Sequence, residues 1–146
     1  MKRFLKLIIK FFERIFNMGR KEIIYKSLDL LVPEMREKAI QILNLIRYHN
    51  LPFKLFETYR TTKRQQKLFK KGHSKCDGIK KLSKHQLGKA VDFVYWDETL
   101  KKFRWDKEIE YWYKILGLLV THQVPDIIWG GNWKTFKDLP HFELKE

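Results

Sequence analysis

The sequence of 146 residues contains one cysteine, Cys76, and no long uninterrupted run of apolar residues. One cysteine cannot form an intramolecular disulfide, so the fold is compatible with synthesis in a reducing cytoplasm. It also argues against a structural zinc site, because such a site is closed by four protein ligands that are often cysteines. No internal repeat or interdomain linker is visible, and the chain is long enough to bury about two-thirds of its unfolded surface. We therefore predict one folded domain, residues 21–146.

Acidic side chains are also scarce, with 17 against 31 basic ones and a formal net charge of +14. This excess favours anionic partners and predicts binding that weakens as salt is added. Aromatic residues such as Phe103, Trp105, Tyr111 and Trp112 lie among lysines, a pattern that can stack nucleic-acid bases. Residues of this kind more often form core and rim, so no nucleic-acid partner is expected.

The first 17 residues differ in character from the rest. Basic and polar side chains recur every three or four residues and apolar ones occupy the remaining positions, which predicts a cationic amphipathic helix within residues 1–20. Lys6, Lys10 and Glu13 interrupt the apolar run, so the segment is neither a membrane span nor a good secretory signal. Three interpretations stay open: a helix docked on the domain, a contact with anionic membrane or lipopolysaccharide, and a degraded signal sequence.

The rest of the chain predicts an α+β fold, in which helices flank a small antiparallel sheet. Apolar residues at a helical period, preceded by Pro33, indicate the first helix. The other elements follow from the same periodicity rules. The predicted helices are residues 34–50, 62–69 and 108–120, and the predicted strands outside the candidate site are residues 52–59, 127–129 and 141–144.

Two separated pairs of residues form a candidate metal site. His85 and Asp92 lie seven residues apart, and Asp138 and His141 lie three apart near the C-terminus. Together they supply two imidazoles, one carboxylate, and a further carboxylate that can handle protons. A catalytic zinc ion keeps a position open for water, so this donor set indicates a hydrolase. Pro140 disfavours helical geometry before it, which predicts an extended segment for the second pair.

The spacing of the first pair is suited to convergence on one ion. Gly88 lies between His85 and Asp92 and can turn the chain, so we expect His85 to leave one strand and Asp92 to enter the next. Strand alternation places Asp92 on the face opposite to Val91 and Phe93. The carboxylate is therefore predicted to face a cleft while its neighbours enter the core.

Four motifs in order resemble the zinc peptidases that cut the stem peptides of bacterial peptidoglycan. This family includes D-alanyl-D-alanine carboxypeptidases, vancomycin-resistance dipeptidases and L-alanyl-D-glutamate endopeptidases among phage endolysins. The resemblance runs from about residue 27 to residue 143. Its motifs are Glu57-Thr58-Tyr59-Arg60 with Arg64 and Gln65 beyond it, the Ser-x-His-x6-Asp run from Ser83, Trp129-Gly130-Gly131-Asn132-Trp133, and Asp-x-Pro-His-Phe from Asp138.

The resemblance implies a metal site and a proton carrier. His85, Asp92 and His141 would bind Zn²⁺ and leave the fourth position to a water whose pKa falls to about 7. Asp138 would accept the proton of that water and deliver it to the leaving amine. Many members carry Glu at this position, and the shorter Asp138 resembles the endolysin branch.

The resemblance also implies substrate contacts. Arg60 would hold the developing oxyanion or a substrate carboxylate, because a guanidinium stays charged and offers a planar fork of donors. It could instead form an ion pair with Glu57 or Asp138, and Glu57 itself departs from the family's Gly-Tyr-Arg pattern. Gln65 and Ser83 would form hydrogen bonds with the stem peptide.

The sequence as a whole predicts a monomeric zinc-dependent peptidoglycan hydrolase, most similar to the L-alanyl-D-glutamate endopeptidases. A D-alanyl-D-alanine carboxypeptidase is the nearest alternative. A noncatalytic cationic protein that binds membrane or nucleic acid on the same fold is an alternative from another class. We expect synthesis in the cytoplasm, without a clear signal peptide, and action at the periplasm or cell wall.

Overall fold

A computed structural model describes residues 22–146 of the chain. The helix and domain predicted within residues 1–20 lie outside this range. Each predicted helix, and each strand predicted outside the candidate site, is present from residue 34 onward, with ends displaced by a few residues at most. The α-helices are α1 (Pro33–Tyr48), α2 (Thr62–Lys70) and α3 (Glu110–Gln123), and the strands are β1 (Phe53–Glu57), β2 (Ala90–Asp97), β3 (Lys102–Arg104), β4 (Ile127–Trp129) and β5 (His141–Leu144).

All five strands form one antiparallel sheet, and the predicted α+β class is confirmed. The strand order is β1-β2-β5-β4, and β3 pairs with the far end of β2. Strand β2 is the centre of the sheet, since it pairs with β1, β3 and β5. Its first five residues are buried, as expected for a central strand.

One face of the sheet and two helices form the hydrophobic core. Helix α1 buries Met35, Ala39, Ile42 and Ile46 at intervals of three and four, the spacing of one helix face. Helix α3 buries a second stripe that includes Tyr113, Leu116 and Val120, and the sheet contributes Val91, Phe93 and Phe142. Removal of these side chains from water supplies the main favourable contribution to folding.

The opposite face of the sheet carries the polar residues of interest, and we call it the cleft face. Side chains alternate along a strand, so Asp92, Val94 and Trp96 of β2 lie on this face while Val91 and Phe93 point into the core. His141 of β5 is directly opposite Asp92 and shares the face. The predicted orientation of Asp92 relative to its neighbours is therefore observed.

His85 does not lie on a strand, contrary to the expectation of a hairpin. Residues 71–89 contain no helix or strand, and His85 belongs to a turn that ends at Gly88. Gly88 has φ of +67°, and a Cβ there would lie 2.9 Å from the Leu30 carbonyl oxygen. Glycine is thus required at this position by conformation and by space. It closes a turn against the segment before α1, and not the hairpin that was expected.

Within residues 22–146 no helix combines the length and apolar character needed to cross a membrane.

Candidate metal centre

Three side chains from distant parts of the chain meet on the cleft face. Asp92 Oδ1 lies 3.0 Å from His85 Nε2 and 3.1 Å from His141 Nδ1, and the two nitrogens are 3.2 Å apart. All three residues are buried, with at most 8% of their surface exposed. The register of β2 and β5 brings Asp92 and His141 together, and the turn before β2 adds His85.

The outer nitrogen of each imidazole is already engaged in a hydrogen bond. His85 Nδ1 lies 2.7 Å from the Thr58 carbonyl oxygen, which can only accept, so Nδ1 carries the proton. His141 Nε2 lies 2.8 Å from Glu143 Oε2 and donates in the same way. The inner nitrogens then present lone pairs to each other and to the carboxylate of Asp92. Three acceptors this close require a proton or a cation between them.

The ionisation of the cluster follows from this geometry. Burial alone would raise the pKa of Asp92, but the two imidazoles outweigh it and hold that pKa well below its usual range. Burial alone would lower the pKa of His141, yet bonds to Asp92 and Glu143 raise it to about 9. A proton therefore occupies the cluster at neutral pH when no metal is bound, and a metal ion has to displace it.

A zinc ion fits this group of atoms. Two imidazole nitrogens and one carboxylate oxygen are the ligand set of catalytic zinc sites, and their tetrahedral bonds of about 2.0 to 2.1 Å place ligand atoms roughly 3.3 Å apart. The observed separations of 3.0 to 3.2 Å are close to that value. Bonds from the outer nitrogens to Thr58 and Glu143 are the usual support of ligating histidines. Residues 22–146 contain this one cluster of potential metal ligands.

Asp138 is held beside the cluster by the loop that follows β4. Its backbone N–H donates to the Gly130 carbonyl over 3.1 Å, and its own carbonyl accepts from the backbone N–H of His141 over 3.3 Å. A Cβ at Gly130 would lie 2.4 Å from the Asp138 carbonyl oxygen and 3.2 Å from the His141 Cβ. The segment is not helical, as expected, but Leu139 and Pro140 form a turn instead of the extended segment that was predicted, and only His141 lies on a strand. The close approach of Asp138 explains the glycine at position 130.

The carboxyl group of Asp138 is suited to proton transfer. Burial and the neighbouring charge of Asp92 raise its pKa to about 6. A carboxyl group with such a pKa can accept and release a proton near neutral pH.

Arg60 lies behind the cluster in a buried ion-pair network. Its Nη2 is 2.7 Å from Glu57 Oε2 and 3.5 Å from Asp92 Oδ2, and its Nη1 donates to Gln65 Oε1 over 3.0 Å. Arg64 contributes two further bonds to Glu57, which is 1% exposed. The Nε atom of Arg60 is also buried, and no atom of the described residues forms a hydrogen bond with it. The sequence left open whether Arg60 pairs with Glu57 or with Asp138. The structure has an ion pair between Arg60 and Glu57, and none between Arg60 and Asp138.

We predict that Glu57→Gln destabilises the fold by about 3 to 5 kcal/mol, because it removes the nearest charge partner of the buried Arg60 guanidinium. The pKa of Glu57 is consistent with this, since burial would raise it but the two arginines lower it. Denaturant unfolding measures the change. The control is Glu110→Gln, which removes the exposed pair between Glu110 and Lys114 and should change stability by less than about 1 kcal/mol. Equal effects of the two substitutions would contradict the prediction.

Of the two residues expected to form hydrogen bonds with the stem peptide, Ser83 lines the cleft and Gln65 does not. Ser83 is buried and lines the cleft, where its hydroxyl lies 3.4 Å from Gln86 Oε1. Gln65 is fully buried behind Arg60, and its amide nitrogen donates to Ser74 Oγ and to the Cys76 carbonyl. Gln65 therefore positions Arg60 and the loop after α2 in this structure, rather than facing the cleft.

Sequence reasoning missed the residues that orient the cluster, Thr58 and Glu143. Glu143 could have been found, because it lies two residues after His141 on a predicted strand and so shares its face. Thr58 acts through a backbone carbonyl, which leaves no signal in residue identity.

The cluster opens into one cleft of about 860 Å³. Lysines on the loop after α2, among them Lys71, Lys75 and Lys81, line one wall. The Trp133 ring packs beside the cluster, and its centroid is 5.1 Å from the centroid of the His141 ring. The cleft therefore combines an acidic, metal-competent floor with a basic wall that favours an anionic ligand.

The chain is similar to known peptidases of the bacterial cell wall. Residues 77–144 match the model of a family described as D-alanyl-D-alanine carboxypeptidase, and this segment contains all three clustered residues. The peptidoglycan L-alanyl-D-glutamate endopeptidase CwlK of Bacillus subtilis is 30% identical over 100 residues, or 60% of this chain and 58% of that protein. The chain thus spans a little over half the length of this relative.

Solved structures extend the likeness to nearly the whole described fold. The L-Ala D-Glu endopeptidase ChiX of Serratia marcescens has a TM-score of 0.61 and 27% identity over 86% of this chain and 92% of that chain. A variant of the vancomycin resistance D,D-pentapeptidase VanY in complex with Zn(II) shares the fold, with a TM-score of 0.54 and 15% identity over 80% of this chain and 73% of that chain. The chain is therefore similar to D-alanyl-D-alanine carboxypeptidases over residues 77–144 and to an L-alanyl-D-glutamate endopeptidase over most of the described fold.

Proposed function

We propose that this protein is a zinc-dependent peptidase that hydrolyses the bond between L-alanine and D-glutamate in the stem peptide of peptidoglycan. The observation that carries the proposal is the triangle of three lone pairs from His85, Asp92 and His141, beside a carboxyl group whose pKa is about 6. Such a set can bind a metal cation in place of a proton, and it has a proton carrier next to it. The likeness to the two L-alanyl-D-glutamate endopeptidases supports the choice of bond.

Each residue of the site has a part in this proposal. His85, Asp92 and His141 hold the zinc ion, which when bound supplies a Lewis acid that lowers the pKa of water and polarises a carbonyl group. Asp138 accepts the proton of the attacking water and passes it to the amine that leaves. Arg60 stabilises negative charge that develops on the substrate, and its place in the lining of the cleft supports this role. Ser83, on the cleft wall, binds the stem peptide.

The basic wall of the cleft supports an anionic stem peptide as substrate. Stem peptides carry free carboxylates, and lysines at the cleft attract them before any specific contact forms. Exposed lysines act through a field that salt screens, so cleavage should slow as ionic strength rises.

A D-alanyl-D-alanine carboxypeptidase is the second candidate, because the matching family model has that description. Both reactions need the same metal centre and proton carrier. They differ in where the substrate ends relative to the scissile bond.

Digestion of purified sacculi separates the two activities. We expect new N-terminal D-glutamate and new C-terminal L-alanine, both identified by mass spectrometry of the released fragments. Release of free D-alanine without cleavage of the stem after its first residue would instead establish the carboxypeptidase.

We also propose that residues 1–17 contact anionic membrane or lipopolysaccharide and that the enzyme acts as a monomer at the periplasm or cell wall. The basic, amphipathic sequence of this segment supports the proposal. Deletion of residues 1–17 should leave cleavage of isolated peptidoglycan intact and reduce binding to vesicles that contain anionic lipid. Loss of peptidoglycan cleavage on deletion would show that the segment belongs to the catalytic domain.

A further inference from the structure

Four aromatic side chains pack against one another, edge to face, at one end of the cleft face, and we call them the aromatic platform. They are Phe56 of β1, Trp96 of β2, Phe103 of β3 and Trp105 just after it. Ring centroids are 5.1 Å apart for Phe56 and Phe103, 5.4 Å for Phe56 and Trp105, and 5.0 Å for Trp96 and Phe103. Trp105 remains 55% exposed despite these contacts.

The platform is continuous with the metal centre. Asp92, Val94 and Trp96 follow one another at every second residue on the cleft face of β2, so the strand leads from the cluster to the platform. At about 3.3 Å per residue, Val94 lies roughly 7 Å and Trp96 roughly 13 Å along the strand from Asp92. Phe56 and Trp105 line the same cleft as the three clustered residues.

The chemistry of the platform suits a sugar ring. One face of a pyranose ring consists largely of C–H groups that pack on an aromatic surface, while its hydroxyl groups need hydrogen-bond partners at the edge. The ammonium group of Lys26 lies over the rings of Phe56 and Phe103, 5.7 and 5.1 Å from their centroids, and that of Lys54 lies over the Trp96 ring, 3.9 Å from its centroid. The exposed ring of Trp105 is therefore the face on which a sugar can pack, and the lysines supply hydrogen-bond donors near it. An apolar surface with a few polar groups at its margin is the usual composition of a small-ligand site.

We infer that the aromatic platform binds the glycan strand of peptidoglycan, at the sugar that carries the stem peptide being cut. This inference rests on the proposed function. The L-alanine of the stem is joined to the muramic sugar through a lactyl group, so the scissile bond and the sugar are separated by about two residues of extended chain, roughly 7 Å. A stem bound at the metal centre and extending along β2 therefore brings its sugar to the level of Val94, beside Trp105, which follows the Arg104–Tyr95 pair and lines the same cleft.

The geometry also distinguishes between the two candidate reactions. In a D-alanyl-D-alanine carboxypeptidase the sugar lies about five residues from the scissile bond, roughly 17 Å, which is beyond Trp96 at roughly 13 Å. An aromatic surface that begins within two residues of the metal ligand is thus placed for a substrate cut next to its sugar.

The test compares two substrates that differ in the sugar alone. One is the disaccharide tetrapeptide, and the other is the lactoyl tetrapeptide that remains when the sugars are removed, so neither has a free amino group on L-alanine. We expect the parent enzyme to favour the disaccharide form by about tenfold in kcat/KM, the size of effect expected for one well-placed tryptophan. Trp105→Ala should reduce this ratio to about one, and Trp105→Phe should keep most of it.

Tyr111→Ala is the matched control, since Tyr111 is also 55% exposed but lies on α3 away from the cleft. It should leave the ratio unchanged. A parent ratio near one, or an unchanged ratio in Trp105→Ala, overturns the inference and leaves the proposed function standing. Failure of the parent enzyme to cut either substrate after L-alanine contradicts the proposed function itself.

A measurement on the parent protein covers the case in which Trp105→Ala does not fold. The indole N–H resonance of Trp105 should shift when the disaccharide without peptide is added. If the Trp105 resonance does not shift at a saturating concentration of disaccharide, the inference is also overturned.

Discussion

Asp138→Asn should lower kcat for stem-peptide cleavage by about 10² to 10⁴, the usual contribution of a positioned acid–base group, while the protein keeps its zinc and its fold. An amide of the same shape cannot take a proton from water or return one to the leaving amine. Asp138 is not among the three clustered residues, so the metal ligands are unchanged. Steady-state rates on a defined stem peptide, with zinc content by elemental analysis, measure both parts of the prediction.

Asp126→Asn provides the control, because Asp126 is exposed, lies outside the cleft and has φ of +59°, which asparagine tolerates. It should retain the rate of the parent. A rate of stem-peptide cleavage by Asp138→Asn equal to that of the parent would contradict the role of Asp138 as the proton carrier.

His85→Ala should lose both the metal and the activity, with zinc affinity reduced more than about 100-fold. Loss of a supporting bond alone weakens a zinc site by about 10- to 100-fold, and this substitution removes a ligand. It also leaves the Thr58 carbonyl without the imidazole N–H that lies 2.7 Å away. Zinc titration against a competing chelator measures the affinity.

The parent enzyme treated with a chelator provides a second measurement. Its activity should disappear and return when zinc is restored, whereas His85→Ala should stay inactive at the same zinc concentration. His122→Ala is the control, since His122 is exposed on α3 and lies outside the cluster. Stoichiometric zinc in purified His85→Ala would show that the ion is held by other residues.

The helices were predictable because their apolar residues recur at the period of a buried face. In α1, Met35, Ala39, Ile42 and Ile46 are buried as the pattern indicates. Strand β3 was not predicted, since its three residues Lys102–Arg104 carry no apolar alternation and are held in the sheet only by pairing with β2. Gly88 permits both a hairpin and a tight turn after His85, so the sequence does not separate the two. Contacts of Gly88 with the segment before α1 favour the turn.

The identities of the candidate metal ligands were recognisable from sequence because imidazole and carboxylate are the groups that zinc binds, and strand alternation placed Asp92 on a separate face from its neighbours. The positions of Arg60 and Gln65 were not recognisable in this way. The sequence indicates substrate contacts for both, but Gln65 is sealed behind Arg60, while Arg60 lines the cleft and also shares its charge with Glu57. Burial depends on what packs over a residue, which local sequence does not report.

Composition, periodicity and the choice of donor atoms were thus enough to predict an α+β domain with a metal site, because each depends on residues near one another in the chain or on their chemistry alone. The distances between Thr58, His85 and His141, the network around Glu57 and the aromatic platform required the folded chain. Each brings together residues from separate strands and loops, and strand register and packing set their separation.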